Sequence, residues 1–195
     1  MHYCISNEIS KILDVNRNRF IVGGIFPDIP QLVEKPKEES HFMKTQDNGL
    51  KYNYSAFFKK YKDNFDDSFF RGYFCHLVSD ERWFREIINK YDNPVFCDEE
   101  TRRKYYLDFY KLNGILIKHF KPDDTIDVVN GIEIDEVKSN ILYKMVEQIH
   151  EDFKYDPDII NEPLDIFKVD DIIGYINEAV KTASYKLTQI LNSSR

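Results

Sequence analysis

The sequence contains few cysteines, and none of them stand at metal-binding or redox spacing. Cys4, Cys75 and Cys97 are far apart in 195 residues, with no Cys-x-x-Cys pair. An odd and scattered count excludes a disulfide framework and is typical of reduced thiols. We therefore expect a cytoplasmic protein in which the three thiols are small buried side chains.

Long apolar runs are also missing. The longest near-apolar stretch, residues 20–26, contains two glycines and is far too short to cross a bilayer. The amino-terminal sequence has no basic segment followed by an apolar stretch, so we expect neither a secretory signal nor a transmembrane segment.

An excess of positive charge is absent as well. The 27 Lys and Arg residues are outnumbered by 34 Asp and Glu residues, giving a net charge of −7. This balance argues against extended nucleic-acid binding or binding to anionic membranes, because both depend on displaced counterions. The Gly23-Gly24 pair lacks phosphate-loop spacing, and no Gly-x-Ser-x-Gly motif offers a hydrolase serine.

What the chain does have is helical periodicity and a large supply of aromatic residues. Hydrophobic residues make up 42% of the chain and aromatic residues 15%, which is enough for one sizeable core. Apolar residues recur at three- and four-residue spacing, and no strand pattern competes with them. We predict an all-α fold, a single compact helical domain over 1–195. Residues 20–30 are predicted as a compact turn and 33–52 as a long loop, with helices at 2–13, 55–61, 66–88, 99–120, 134–153 and 169–191.

The residues with chemical potential are concentrated in the first 80 positions. His76 and Asp80 stand four apart on a predicted helix, so both could reach one ion, although an ordinary His–Asp pair has the same spacing. Asp28 ends a Gly-Gly-Ile-Phe-Pro turn, His41 lies in a Ser-His-Phe segment, and His2 heads the first helix. Taken singly, these residues are more typical of a turn, a loop and an exposed terminus.

Taken together, these side chains form a set that divalent ions accept. Three of the five histidines and two carboxylates match the nitrogen and oxygen ligands of zinc. Ions held by shared ligands of this kind activate water and bind phosphoryl oxygens.

The order of these motifs resembles the zinc-dependent phospholipase C family, which is distantly related to the fungal single-strand nucleases. The similarity rests on His2, Gly24-Ile-Phe-Pro-Asp28, Ser40-His41-Phe42 and Gly72-Tyr-Phe-Cys-His76-Leu-Val-Ser-Asp80. It implies an all-helical phospholipase C-like fold that cleaves phosphodiesters with a zinc cluster, here built mainly from residues 1–90.

The resemblance also implies a ligand set. Asp28, His41, His76 and Asp80 would hold one ion, and Asp80 would bridge to a second ion bound by His2. The implied cofactor is therefore zinc, two or more ions, with other divalent metals as alternatives. Asp28 and Asp80 would be the catalytic carboxylates, with Asp28 as proton acceptor from metal-activated water.

The sequence departs from the family after Asp80, where a further histidine and a His-x-x-x-Glu motif are expected. His119 and His150 lack suitable context and are predicted to be surface or helix-end residues. Glu86 and Asp108 are candidate additional metal ligands, while Asp108 could equally pair with a nearby base (Arg102, Arg103 or Lys104).

Three functions remain open at this point. The first is a phospholipase C-like, zinc-dependent hydrolase acting on a small phosphate-ester substrate. The second is a metal-binding but non-catalytic protein, and the third is a helical interaction module. The sequence gives no indication of oligomeric state.

Overall fold

The chain is mostly helical, as the periodicity predicted. A computed structural model describes residues 1–33, 36–46, 49–91 and 98–193, and 68% of the chain is helix with almost no strand. Within those ranges the α-helices are α1 (His2–Ser10), α2 (Arg17–Ile25), α3 (Tyr54–Tyr61), α4 (Ser68–Trp83), α5 (Glu99–Phe120), α6 (Leu142–Asp152) and α7 (Val169–Ser193). Short 3-10 helices cover Phe26–Val33, Lys62–Asn64, Ser139–Ile141 and Ile159–Asn161, and α4 continues as a π-helical segment at Phe84–Ile88.

The α2 helix corrects the prediction of a compact turn at residues 20–30. The Asn16 side chain caps it by accepting a hydrogen bond from the Arg19 backbone amide. Residues 20–25 are all buried, so the segment lacks the polar face by which an amphipathic helix is recognised. The following 3-10 helix, Phe26–Val33, carries Asp28.

Helices α2 and α4 pack closely because glycine stands at their contact. A Cβ atom at Gly23 would lie 2.0 Å from the Phe69 carbonyl oxygen, and one at Gly72 would lie 2.0 Å from the Phe20 carbonyl oxygen. Neither position admits a side chain without moving a backbone. This contact fixes the separation of the two segments that carry Asp28 and His76.

The predicted long loop at 33–52 contains a short hairpin. Strands β1 (Met43–Gln46) and β2 (Gly49–Tyr52) pair antiparallel, with Met43 opposite Tyr52. The polar composition of this segment concealed the hairpin, although its isolated size makes it a minor element beside the helices.

The carboxyl-terminal helix α7 completes the core around α4. Its buried residues follow helical spacing (Ile172, Ile176, Ala179, Ala183 and Leu187). The Tyr175 hydroxyl donates a hydrogen bond of 3.0 Å to the Ser79 carbonyl oxygen, and Trp83 packs edge-on against the same tyrosine ring. One cluster of buried side chains extends from Tyr3 in α1 to Leu187 in α7.

Several predicted helix boundaries shift in the structure. Asp67 caps α4 by accepting a hydrogen bond from the Phe69 amide, so the helix begins at Ser68 rather than at residue 66. Helix α6 begins at Leu142 rather than at residue 134. The predicted bounds of α5 are those observed, since Asp98 caps its first turn and Lys121 adopts a left-handed conformation just before Pro122.

Two of the three cysteines lie in the described part of the chain. Cys4 and Cys75 are buried free thiols, and Cys97 lies outside the described residues. Among the helices that the structure describes, none is both long enough and apolar enough to span a bilayer.

Candidate metal centre

Five side chains from four separate segments converge beside the α2–α4 contact. His2 begins α1, Asp28 lies in the 3-10 helix after α2, and His41 lies in a turn before β1. His76 and Asp80 stand one turn apart on α4. The structure thus brings together the five ligands that the resemblance implied, although they are up to 78 residues apart in sequence.

Asp80 lies at the middle of this cluster. Its Oδ1 atom is 3.0 Å from Nε2 of His2, and its Oδ2 atom is 3.2 Å from Nε2 of His41. Nε2 of His76 is 3.6 Å from the same Oδ2 atom. A carboxylate that faces three imidazole nitrogens with two oxygens is placed to bridge two ions.

Two overlapping groups of ligand atoms have the compactness of metal sites. His2, Asp28 and His76 form one, and His41, His76 and Asp80 form the other, with all atoms of each group within 4.8 Å of one another. The two groups form one continuous centre, because His76 belongs to both of them and Asp80 lies at the middle of the cluster.

The two buried histidines are oriented by main-chain carbonyl groups. Nδ1 of His76 lies 2.8 Å from the Gly24 carbonyl oxygen, and Nδ1 of His41 lies 2.9 Å from the Lys37 carbonyl oxygen. A carbonyl oxygen only accepts, so each Nδ1 carries the proton and donates it. In the neutral ring Nε2 then keeps its lone pair, which is the arrangement found in metal-binding histidines.

These lone pairs point at each other. Nε2 of His41 and Nε2 of His76 are 3.1 Å apart. Two neutral rings in this tautomer repel at that distance unless a cation lies between them. The cation is a proton on one ring or a metal ion bound by both.

Asp80 supplies a second sign that the cluster fits a cation. Its Oδ2 atom is fully buried and makes no hydrogen bond of ordinary geometry with any residue in the described part of the chain. A buried carboxylate oxygen without such a partner is costly. Since the donors are imidazole nitrogens and carboxylate oxygens, the residues fit zinc or a similar divalent ion.

The charges within the cluster shift its carboxyl pKa values downward. Burial by itself raises the pKa of Asp80, but electrostatic interactions with the neighbouring imidazole groups, first His76 and then His2, outweigh it and hold the pKa well below its usual range. For Asp28, burial is likewise outweighed, first by His76 and then by the hydrogen bond from His41, so its pKa is also lowered. Both groups are therefore ionised at neutral pH and able to bind a cation.

The histidine pKa values move in opposite directions. Burial lowers the pKa of His41, but hydrogen bonds with Asp28 and Asp80 outweigh it and raise the pKa to about 9. The pKa of His2 is lowered, chiefly by burial and then by the charge of His76, against which its ring stacks at 3.8 Å. Without a metal, His41 is thus the group that carries the neutralising proton.

A cavity of about 470 Å³ opens onto the centre. His2, Asp28 and Asp80 lie on its wall, together with the side chain of Lys37. The rest of the lining is mainly apolar or aromatic (Trp83, Tyr105, Phe109, Leu116, Ile117, Met145, Ile149 and Phe153 among others). This volume falls in the range of small-molecule binding sites.

The two additional candidate ligands, Glu86 and Asp108, belong to neither of these two groups in the described ranges. Glu86 forms an ion pair with Arg82, at 3.0 Å between Oε2 and Nε, and contacts Arg85.

Asp108 has a structural role instead. Its buried carboxylate accepts hydrogen bonds of 2.7 to 3.0 Å from three consecutive backbone amides (Asp165, Ile166 and Phe167). It anchors the segment before α7 to α5, and in the described chain its partners are these amides rather than the basic residues at 102–104. Because those partners are main-chain groups, their sequence gives no hint of this role.

The remaining histidines are placed as predicted. His119 is exposed near the end of α5, and His150 is exposed near the end of α6.

Sequence reasoning missed two contributors to the centre. Lys37 lies in the segment predicted as a long loop, yet it lines the cavity. The Ser40 hydroxyl donates a hydrogen bond of 2.8 Å to the Pro27 carbonyl oxygen. That hydrogen bond joins the segment of His41 to the segment of Asp28. In the sequence, this role is indicated only by the position of Ser40 directly before His41, a candidate ligand.

Comparisons of the chain with protein-family profiles, curated proteins and solved structures found no match in any of the three. The chemistry of the centre therefore rests on its own residues.

Proposed function

We propose that this protein is a metal-dependent, zinc-type hydrolase of phosphoester or phosphodiester bonds that uses metal-activated water, as phospholipases C of the zinc-dependent family do. The observation that carries the proposal is the pair of facing Nε2 atoms of His41 and His76 beside the buried Asp80 Oδ2 atom, next to an open cavity. The cavity beside these atoms supports a role for the cluster in binding a ligand from outside the protein.

In this proposal the five side chains of the cluster have different roles. His2, Asp28, His41, His76 and Asp80 would hold two or more ions, with Asp80 shared between them. Bound zinc would supply Lewis acidity, lowering the pKa of water and stabilising negative charge on phosphoryl oxygens. The Asp28 carboxylate is ionised and partly open to the cavity, so it can accept a proton from water.

The shape of the cavity favours one class of organic group. Its lining away from the candidate ligands consists mostly of aromatic and aliphatic residues, with few polar side chains such as Asn113 and Asp152 to bind the hydroxyl groups of a sugar. We therefore expect a small phosphoester with an apolar organic group to bind better than a nucleotide.

The test is zinc content and hydrolysis measured together. Protein purified without chelator should contain two or more equivalents of zinc or another divalent metal and should hydrolyse bis-(p-nitrophenyl) phosphate. Asp80→Asn should reduce both metal content and turnover, by about a hundredfold for turnover, whereas the exposed control His150→Ala should reduce neither.

Two results would count against hydrolysis. Full metal content without turnover of aryl, alkyl and nucleotide phosphoesters would favour the second function, a metal-binding but non-catalytic protein. Metal near zero that added zinc does not restore would favour the helical interaction module.

A further inference from the structure

Lys37 is a charged residue on the cavity wall that the proposed ligand set leaves unused. Lys37 is one of the residues that line the cavity shared with His2, Asp28 and Asp80. The residue is partly buried and forms no ion pair with a carboxylate among the residues that the structure describes. A lysine at the wall of a cavity that also holds candidate metal ligands is suitably placed to bind an anion.

The main chain of Lys37 is fixed to the centre. Its carbonyl oxygen accepts hydrogen bonds from both the backbone amide and Nδ1 of His41, each at 2.9 Å. The Ser40 hydroxyl lies 3.0 Å from the same oxygen. The backbone of this cavity-lining lysine is therefore held in place by the same hydrogen bonds that orient His41, a candidate metal ligand.

The charges around the cavity leave the ammonium group available to a ligand. Metal ions held by the cluster would neutralise Asp28 and Asp80. The other acidic residue of the lining, Asp152, accepts a hydrogen bond from Gln148 and forms no ion pair within the described chain. The end of the cavity at the centre is then positively charged, and such an end selects anions.

We propose that Lys37 binds the phosphoryl group of the substrate, donating hydrogen bonds to oxygens that the metal ions do not hold. A lysine ammonium group acts in this way as a point charge for phosphate. The ligand end of the cavity is thus a site for a phosphoryl oxyanion, and the aromatic end receives the organic group. This inference rests on the proposed function, since it names a residue that binds that function's substrate.

The experiment measures anion affinity rather than turnover. Inorganic phosphate and phenylphosphonate, which is not hydrolysed, are titrated calorimetrically into the zinc-loaded protein. Lys37→Met should weaken both by about tenfold or more, the loss expected for one charge-assisted hydrogen bond. Lys37→Arg should restore most of the affinity, and Lys62→Met, which removes an exposed charge outside the cavity lining, should leave it unchanged.

The outcomes separate the inference from the proposed function. Phosphate affinity unchanged in Lys37→Met at equal zinc content, or no phosphate binding to the zinc-loaded protein, would overturn the role of Lys37. If Lys37→Met does not take up zinc, Lys37→Gln keeps a polar side chain of similar reach and the same two results apply to it. Loss of anion affinity in a protein that hydrolyses no phosphoester would support the anion site while contradicting the hydrolase.

Discussion

At the scale of single residues, the histidine tautomers decide what the cluster can bind. The Gly24 and Lys37 carbonyl oxygens hold the Nδ1 protons of His76 and His41, so both Nε2 atoms face the same small space. The two carboxylates that close this space are ionised. The cluster can therefore be neutralised by protons, and under the proposal it would be neutralised by metal ions instead.

We expect removal of one inward-facing ring to abolish tight metal binding. His76→Ala deletes the nitrogen shared by both ligand groups and should lower zinc affinity at least about a hundredfold. Competition with a chromogenic chelator measures this. His150→Ala, on the surface of α6, is the matched control, and equal losses in the two variants would mean that the ligand set is wrong.

The raised pKa of His41 predicts a dependence of stability on pH. Its pKa is about 9 in the folded protein against 6.5 when unperturbed. Protonated His41 therefore stabilises the metal-free fold fully below about pH 6.5, and this contribution is lost as the pH rises towards 9. Thermal melts of chelator-treated protein should show a falling midpoint across that interval.

Added zinc should oppose this fall of the melting midpoint with increasing pH. Protons and zinc compete for the same nitrogens, so the rise in melting temperature caused by zinc should grow as the pH increases from 6.5 to 8.5. His41→Gln should flatten both trends, whereas His150→Ala should keep them. A melting midpoint that stays constant over this range without metal would contradict the assigned charge state.

At the scale of elements, the packing of α2 on α4 sets the spacing of the metal ligands. Gly23 and Gly72 allow backbone to approach backbone, while Gly24 lies against the Ser6 side chain of α1. Gly24 also supplies the carbonyl oxygen that orients His76. The stability of this helix pair and the geometry of the centre are therefore coupled.

Gly72→Ala tests this coupling. Its added methyl group would meet the Phe20 carbonyl oxygen at 2.0 Å, so the helices must separate. We expect a loss of about 2 kcal/mol or more in the free energy of unfolding, together with weaker zinc binding.

Gly174→Ala is the matched control, because nothing described lies within 4 Å of its added methyl group. Gly174 lies inside α7, where alanine favours helix over glycine by up to about 1 kcal/mol. It should leave zinc affinity unchanged and raise stability slightly. Denaturant unfolding and zinc titration of both variants decide the matter, and equal zinc affinity in Gly72→Ala would show that the spacing of α2 and α4 does not control the centre.

The elements also show what could be predicted from the sequence. Helix α5 was bounded correctly because Asp98 and Pro122 mark its ends by local chemistry. Helix α2 was missed because burial on all sides removes the polar face that makes a helix visible, and because glycine at 23 and 24 is typical of a turn. These glycines are required by close backbone packing between two segments about 50 residues apart in the sequence. That packing cannot be predicted from the sequence of either segment alone.

The same distinction applies to the centre. The order and type of its side chains predicted the five residues that the structure brings together. Glu86 and Asp108 were chosen by position on a predicted helix, which does not show what a neighbouring element offers them. Instead, Glu86 forms an ion pair with Arg82, and Asp108 accepts hydrogen bonds from three backbone amides.

At the scale of the whole molecule, the carboxyl-terminal half builds the far wall of the cavity. Helices α5 and α6 supply Phe109, Ile117 and Ile149, while α1 and α4 supply the candidate metal ligands His2 and Asp80. Under the proposed function, the amino-terminal motifs would provide the chemistry, and the carboxyl-terminal half would determine which organic group fits.

Filling that wall should affect the organic ligand without affecting the metal. Ile117→Trp adds bulk to the apolar lining and should weaken phenylphosphonate binding by about tenfold, with zinc content and phosphate affinity unchanged. Ile12→Trp, at an apolar position that is 61% exposed and outside the lining, is the control. Unchanged phenylphosphonate affinity in Ile117→Trp would mean that the organic group lies elsewhere.

The hydrogen bonds that orient His41 and His76 end on peptide carbonyl groups, and this has a consequence for how the protein can vary. Substitution of a side chain at position 37 leaves the carbonyl oxygen in place, so the histidine orientation is independent of the residue type there. An inserted or deleted residue between Pro27 and His41 would displace that oxygen. The orientation of His41 should therefore tolerate substitution at position 37 but not insertions or deletions in this segment.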